Sequence, residues 1–303
     1  MSSDRRFGIG SITKTMVAAA TLKLEEQGLL SLDDTIGDHL DLDSENVDPS
    51  ITIFQLLNHF SGLKGYFHHP DIWTRVEANL ETPIDPIEIV DYIGEPVFSP
   101  GDRYEYSNSN YLILGLLIEA ASGDDVGGVL RSSFWSPLNL PEIYFGADEA
   151  STGRIAAPWR DSDGDGLLEN IANEYGPAYH SVFYCAADVF STAEDLSMWA
   201  QHLYNGDALS QASLDKMLNF VDIDSGNPYW NGYGLGVRRF VLAGREMYGH
   251  TGGMRGYGTV MLYEPQSKVS LAILNNQSRS VNGTQLRFEL MVELLEAVFE
   301  EVD

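Results

Sequence analysis

YGLGVRRFVLAGREMYGHTGGMRGYGTVMLYEPQSKVSLAIL, residues 233–274, is the stretch from which the fold is read. Apolar and polar side chains alternate along residues 233–241, 247–251, 258–263 and 269–274, the period of strands with one face in a core. Pro265 to Lys268 supply a turn between the last two. Connections this short join antiparallel neighbours, so the segment predicts an antiparallel sheet. Downstream, Leu286, Leu290, Leu294 and Val298 recur every fourth residue and offer one apolar helix face to cover that sheet. Upstream, residues 193–204 predict a helix opened by Ser191 or Thr192, with Glu194 and Asp195 in its first turn and Asn205-Gly206 at its end.

Farther toward the N-terminus the period is helical. Residues 111–121 predict an apolar helix stopped by Gly123, and residues 29–100 read as short helices and loops. Residues 11–27 predict a helix with Met16, Ala19, Ala20 and Leu24 on one stripe and Gly28 as its stop. The expected class is α+β. A sheet domain would use residues 1–28 and 186–303, and a mainly helical domain would use residues 29–185.

With 303 residues and 44% apolar content the chain can bury a large core. Its net charge of −27 repels phosphates and anionic lipid, which sets aside nucleic acid and membrane surfaces as partners. Only five basic residues are lysines, so the acidic excess reads as a solvation strategy for high salt, against the plainer reading of an ordinary acidic protein. The single cysteine, Cys185, excludes an intrachain disulfide and thiolate metal sites and reads as a small buried residue. No apolar run approaches the roughly 20 residues that cross a bilayer. Residues 1–10 lack the apolar stretch of an export signal, so the chain as written reads as cytoplasmic.

A serine hydroxyl needs a base within hydrogen-bond reach to become a nucleophile. In Ser11-Ile12-Thr13-Lys14 the lysine follows by three residues, which puts both side chains on one face at the opening of a helix. Burial and nearby positive charge would lower the lysine pKa and free the amine. The same spacing occurs at Ser61/Lys64 and Ser213/Lys216, so spacing alone does not choose. Ser11 differs in its companions: Tyr106-Ser107-Asn108 offers a phenol to relay a proton and an amide to hold a carbonyl, and His250-Thr251-Gly252 lies on a predicted strand. A second Tyr-x-Asn stands at Tyr229-Trp230-Asn231, whereas His-Thr-Gly occurs once. A glycine-rich strand edge lets a substrate backbone come close and pair with it.

Six stretches, RFGIGSITK (6–14), ITIFQLLNHFSGL (51–63), FSPGDRYEYSNSNYLILGLLIE (98–119), STAEDLSMWAQHL (191–203), YGLGV (233–237) and YGHTGGMRGYGT (248–259), together resemble the serine β-lactamase and penicillin-binding-protein family. The likeness is to the branch with D-alanyl-D-alanine carboxypeptidases, class C β-lactamases and β-lactamase-fold esterases. It implies the β-lactamase/transpeptidase-like fold, no cofactor, and an acyl-enzyme on Ser11 formed from an amide, β-lactam or ester carbonyl. By position it implies that Lys14 and Tyr106 move protons and that Asn108 contacts the acyl amide. His250 and Thr251 would line the pocket, and the backbone N–H groups of Ser11 and Gly253 would form the oxyanion hole. Arg238, just after YGLG, takes the place of the carboxypeptidase arginine that meets the substrate's terminal carboxylate, and reads equally as a solvent-facing strand residue beside Arg239.

Two departures follow. Only ten residues precede Ser11, leaving no room for the N-terminal helix and strands that the resemblance implies, so the expected sheet has an unpaired edge that invites a second copy of the chain. The run Asp161-Ser162-Asp163-Gly164-Asp165-Gly166 matches half of a calcium loop but has Ala172 where the closing glutamate belongs, and reads better as a hairpin tip. His68 and His69 are adjacent and lack metalloprotease spacing, so no metal is expected. The substrate is read as a small molecule or short peptide. The competing reading is a non-catalytic ligand-binding or sensing protein that keeps the fold.

Overall fold

The computed structural model describes residues 3–146, 154–242, 244–277, 280–281 and 284–302. Helices run in the order α1 (Thr13–Glu26), α2 (Ile36–His39), α3 (Ile53–Leu57), α4 (Pro70–Ala78), α5 (Pro86–Ile89) and α6 (Asn108–Ser122). They continue as α7 (Val126–Leu130), α8 (Pro177–Ala187), α9 (Ala193–Tyr204), α10 (Gln211–Met217) and α11 (Leu286–Val302). The first five strands are short: β1 (Phe7–Gly8), β2 (Tyr144–Phe145), β3 (Trp159–Arg160), β4 (Glu169–Asn170) and β5 (Val189–Ser191). Then come β6 (Val221–Asp222), β7 (Trp230–Tyr233), β8 (Arg238–Leu242), β9 (Arg245–Met254), β10 (Tyr257–Glu264) and β11 (Val269–Asn275).

Strands β6 to β11 form one antiparallel sheet in the order β11-β10-β9-β8-β7-β6, and β1-β5-β2 form a smaller one. This is the α+β arrangement expected, with helices against an antiparallel sheet. Local rules account for the helix ends. Thr192 caps α9 by accepting from Asp195 N–H, Gly123 ends α6 in the left-handed region, and Leu29 N–H bonds back to Leu24 O around Gly28 to close α1.

Three details differ from the sequence expectation. The predicted strand 233–241 is two strands, β7 and β8, joined by a turn closed by Gly234 N–H to Val237 O at 2.8 Å. Gly236 holds that turn at φ +73°, where a Cβ would sit 2.7 Å from Ala18 Cβ and 2.8 Å from Lys14 O, so the turn is pressed directly onto α1. Helix α1 itself is buried on nearly every side, not along one stripe: Met16, Val17, Ala18, Ala19, Ala20 and Leu22 are all fully buried. On α11 the buried face is Phe288, Met291, Leu295 and Phe299, while Leu294 is exposed. Both stripes have helical spacing, and the one with two aromatics wins because it buries more apolar area, about 1.5–3 kcal/mol per large side chain. These residues cover Phe240, Val260, Leu262 and Ile273 of the sheet.

Residues 161–166 form the tip of the β3–β4 hairpin, as expected, with the Asp161 carboxylate accepting from Gly164 and Gly166 N–H. Carboxylate oxygens of Asp161, Asp163 and Asp165 lie within 4.8 Å of one another there. No helix among the described residues is long and apolar enough to cross a membrane. Cys185 is buried and unpaired. Strands β11 and β6 are the two edges of the six-stranded sheet among the described residues.

Candidate active site

Gly10 sets the geometry at the start of α1. Its φ of +56° opens a single 3-10 turn over Gly10–Ile12, with Ser11 half-buried on it and Lys14 in the first turn of α1. A Cβ on Gly10 would lie 2.5 Å from Gly253 N, so only glycine lets the β9 edge come this close to the Ser11 backbone. Thr259 Oγ1 donates to Ile9 O at 2.8 Å and ties the same turn to β10.

Lys14 is fully buried, and among the described residues no carboxylate pairs with it. Its Nζ lies 2.8 Å from Asn108 Oδ1, 2.7 Å from Ala186 O and 3.3 Å from Ser11 Oγ. Two of these are oxygens that only accept, so two N–H bonds of a neutral amine are spoken for and its lone pair is left toward Ser11. Burial, followed by the Arg238 guanidinium, holds the Lys14 pKa well below its ordinary value, against a weaker upward pull from Cys185. The Lys14 amine and the Ser11 hydroxyl are thus held within hydrogen-bond reach of each other.

Tyr106 and Asn108 flank Ser107, the N-cap of α6, whose Oγ accepts from Ser109 N–H at 3.2 Å. The Tyr106 ring lies 5.0 Å from Lys14 Nζ and 5.4 Å from the Arg238 guanidinium carbon. Its hydroxyl is buried and has no partner at hydrogen-bond geometry among the described residues. Burial raises its pKa, offset in part by Arg238 and then by the nearby Ser11 hydroxyl, so the phenol keeps its proton at neutral pH. On β9, Thr251 Oγ1 accepts from Arg238 Nη1, and the His250 ring lies 6.2 Å from the Tyr106 ring. The structure thus brings Ser11, Lys14, Tyr106, Asn108, Arg238, His250 and Thr251 to one place, with Gly252 and Gly253 on the strand edge beside them.

The profile of the Beta-lactamase family matches residues 1–296. The chain belongs to the Beta-lactamase family. It is 26% identical over 94% of its length to penicillin-binding protein 4* of Bacillus subtilis, spanning 64% of that relative. Among solved structures it resembles a D-stereospecific amidohydrolase from Streptomyces sp., with a TM-score of 0.79, 26% identity and coverage of 90% of this chain and 82% of that one. It also resembles D-amino acid amidase from Ochrobactrum anthropi SV3, with a TM-score of 0.85, 24% identity and coverage of 100% and 87%.

Within this family member, the duplicate motifs have other partners. Ser61 Oγ donates to Asn110 Oδ1 at 2.5 Å while Lys64 is exposed, Lys216 pairs with Glu25 at 2.8 Å, and Asn231 Oδ1 accepts from Arg239 Nε at 3.0 Å. His250 is fully buried and gives both ring nitrogens to the protein, Nε2 to Tyr233 at 3.3 Å and Nδ1 to Thr251 O at 2.7 Å. Arg238 stacks 4.3 Å over Trp230.

Sequence reasoning missed Arg287, whose Nη1 donates to Gly252 O from the first turn of α11. Burial and then Arg238 push its pKa down to about 10. Arg75, Arg239 and Arg255 each pair with a carboxylate, whereas among the described residues Arg238 and Arg287 pair with none and keep buried, unpartnered Nε atoms. In a chain of net charge −27, these two cations stand against Thr251 Oγ1 and Gly252 O of β9. The only sequence signal for Arg287 was a lone cation opening an apolar helix.

Proposed function

We propose that the protein is a serine acyl hydrolase that forms an acyl-enzyme on Ser11 from amide, β-lactam or ester substrates carrying a carboxylate, most like a D-alanyl peptide carboxypeptidase. The observation that carries this is the buried Lys14 amine with two fixed acceptors and its third contact on Ser11 Oγ. Ser11 Oγ attacks the carbonyl carbon and its proton passes to Lys14. The backbone N–H groups of Ser11 and Gly253 hold the resulting oxyanion. Tyr106 gives its proton to the leaving nitrogen or oxygen, the C–N or C–O bond breaks, and Tyr106 is reprotonated from Lys14. Water then attacks the ester carbonyl carbon and gives a proton to the same groups, the bond from the acyl carbon to Ser11 Oγ breaks, and that proton returns to Oγ as the acid leaves.

Asn108 would hold the acyl amide, while Arg238, the Thr251 hydroxyl and Arg287 would receive the carboxylate. Likeness to an amidohydrolase and an amidase supports an amide carbonyl as the reacting group. Incubation with a fluorophosphonate and with a fluorescent penicillin, read by intact and peptide mass spectrometry, tests the proposal. An adduct on Ser11 is expected. Folded protein with no adduct from either probe would favour the non-catalytic binding reading.

A further inference from the structure

Behind the catalytic groups runs a train of hydrogen bonds that the acylation steps do not use. It begins at a backbone N–H: Ser107 N donates to His59 Nδ1 at 3.2 Å. The Asn110 amide nitrogen lies 2.8 Å from the same atom, and its orientation is set by the Ser61 hydroxyl, which accepts from Leu63 N–H and donates to Asn110 Oδ1. A backbone N–H can only donate, so His59 Nδ1 accepts and the ring proton sits on Nε2. That Nε2 is 3.1 Å from the Tyr233 hydroxyl, which accepts it and turns its own proton toward His250 Nε2 at 3.3 Å. His250 then carries its proton on Nδ1 and donates to Thr251 O at 2.7 Å. Every link has one direction, and the train cannot reverse because its first donor is part of the main chain.

We infer that His59 and Tyr233 are positioning residues of the acyl-transfer site, locking His250 as its neutral Nδ1–H tautomer and tying the Tyr106-Ser107-Asn108 wall to the Thr251 wall. The inference rests on the reading of the Ser11 pocket given above. One end of the train lies between Tyr106 and Asn108, and the other is the carbonyl of the residue whose hydroxyl meets Arg238. His59 holds φ at +65°, a conformation that non-glycine residues adopt at a cost, which fits a residue kept for where its ring points.

The locked tautomer also keeps the pocket's charge low. His250 faces Arg238 on β8, Lys14 on α1, Tyr233 on β7 and the rings of Tyr106 and His59. His59 faces Lys14, Arg238, Tyr104, Tyr106, Tyr111 and Tyr233. Burial holds both imidazoles well below the ordinary histidine pKa, and the Arg238 guanidinium lowers them further. A proton on either ring would have to break the train and would add a cation to a buried site that already holds Arg238.

The test is Tyr233→Phe, which keeps the ring and removes both central hydrogen bonds. In wild-type protein, ¹H–¹⁵N spectra should show pyridine-type nitrogens at His59 Nδ1 and His250 Nε2, unchanged between about pH 5 and pH 8. In Tyr233→Phe, His250 Nε2 loses its hydrogen-bond donor, so its pyridine-type ¹⁵N signal should move downfield, and kcat should fall about tenfold with a smaller change in KM. The opposite tautomer at either histidine in the wild-type protein would overturn the inference without any variant. So would a folded Tyr233→Phe protein whose His250 Nε2 signal and kcat are those of the wild type. The spectra need no substrate, so the expected tautomers in a protein that serine probes leave unlabelled would sink the proposed function and leave the train standing.

Discussion

Gly115, in the middle of α6, packs against the segment of α8 that leads into the Lys14 contact. A Cβ at this position would lie 2.3 Å from Tyr184 Cε1 and 2.6 Å from Cys185 Sγ. Restoring ordinary 3.4 Å contact in Gly115→Ala requires the sulfur to recede by about 0.8 Å. The segment cannot give easily, because Tyr184 already sits at φ +32° and ψ −134° inside α8 and both side chains are buried. The next residue is Ala186, whose carbonyl accepts from Lys14 Nζ at 2.7 Å. Overpacking of this kind costs about 1–3 kcal/mol, or about 2–4 °C in Tm for each kcal/mol in a chain of this order. A displaced carbonyl misplaces the lysine amine, and shifts approaching 1 Å cost up to about a hundredfold in rate. The expectation is a folded variant with kcat lowered about 10- to 100-fold and KM changed less, measured on whichever substrate labels Ser11 fastest. A variant whose Tm falls as expected while kcat stays at the wild-type value would refute the coupling between α6 and the base.

Tyr106→Phe should lower kcat about 10²- to 10⁴-fold on an amide but much less on an ester with a good leaving group, which needs no proton to depart. Arg238→Gln and Arg287→Gln should each raise KM about tenfold for a substrate bearing a carboxylate and leave its neutral methyl ester nearly unaffected, as steady-state kinetics on the pair would report. Lys14 binds its proton more weakly folded than unfolded, so the unfolded chain holds more protons between the depressed pKa and 10.5, and stability rises with pH across that window. Lys14→Met should remove that rise from urea titrations at several pH values and abolish labelling of Ser11. With a net charge of −27, Tm should climb as salt is raised from about 10 mM toward 1 M, and a salt-independent Tm would argue against self-repulsion as a destabilising force.

The sequence alone determined the parts that follow from short-range rules. Period-two alternation placed β8 to β11, and cap residues placed α6 and α9 within a few positions, because Thr192 and Gly123 act on the backbone next to them. Ser11 and Lys14 share a face because three residues are one helical turn. Tertiary structure decided the rest. Which of three Ser-x-x-Lys copies is buried beside Asn108 depends on the folding of α1 into the centre of the molecule, and burial is a property of everything packed around a residue. Ala186 supplies a carbonyl, a group every residue carries, so no sequence pattern could single it out. Arg287 and His59 meet the site from 276 and 48 residues away along the chain. Their roles come from neighbours that the chain brings together only when it closes, and from a lowered dielectric that exists only once water has been excluded.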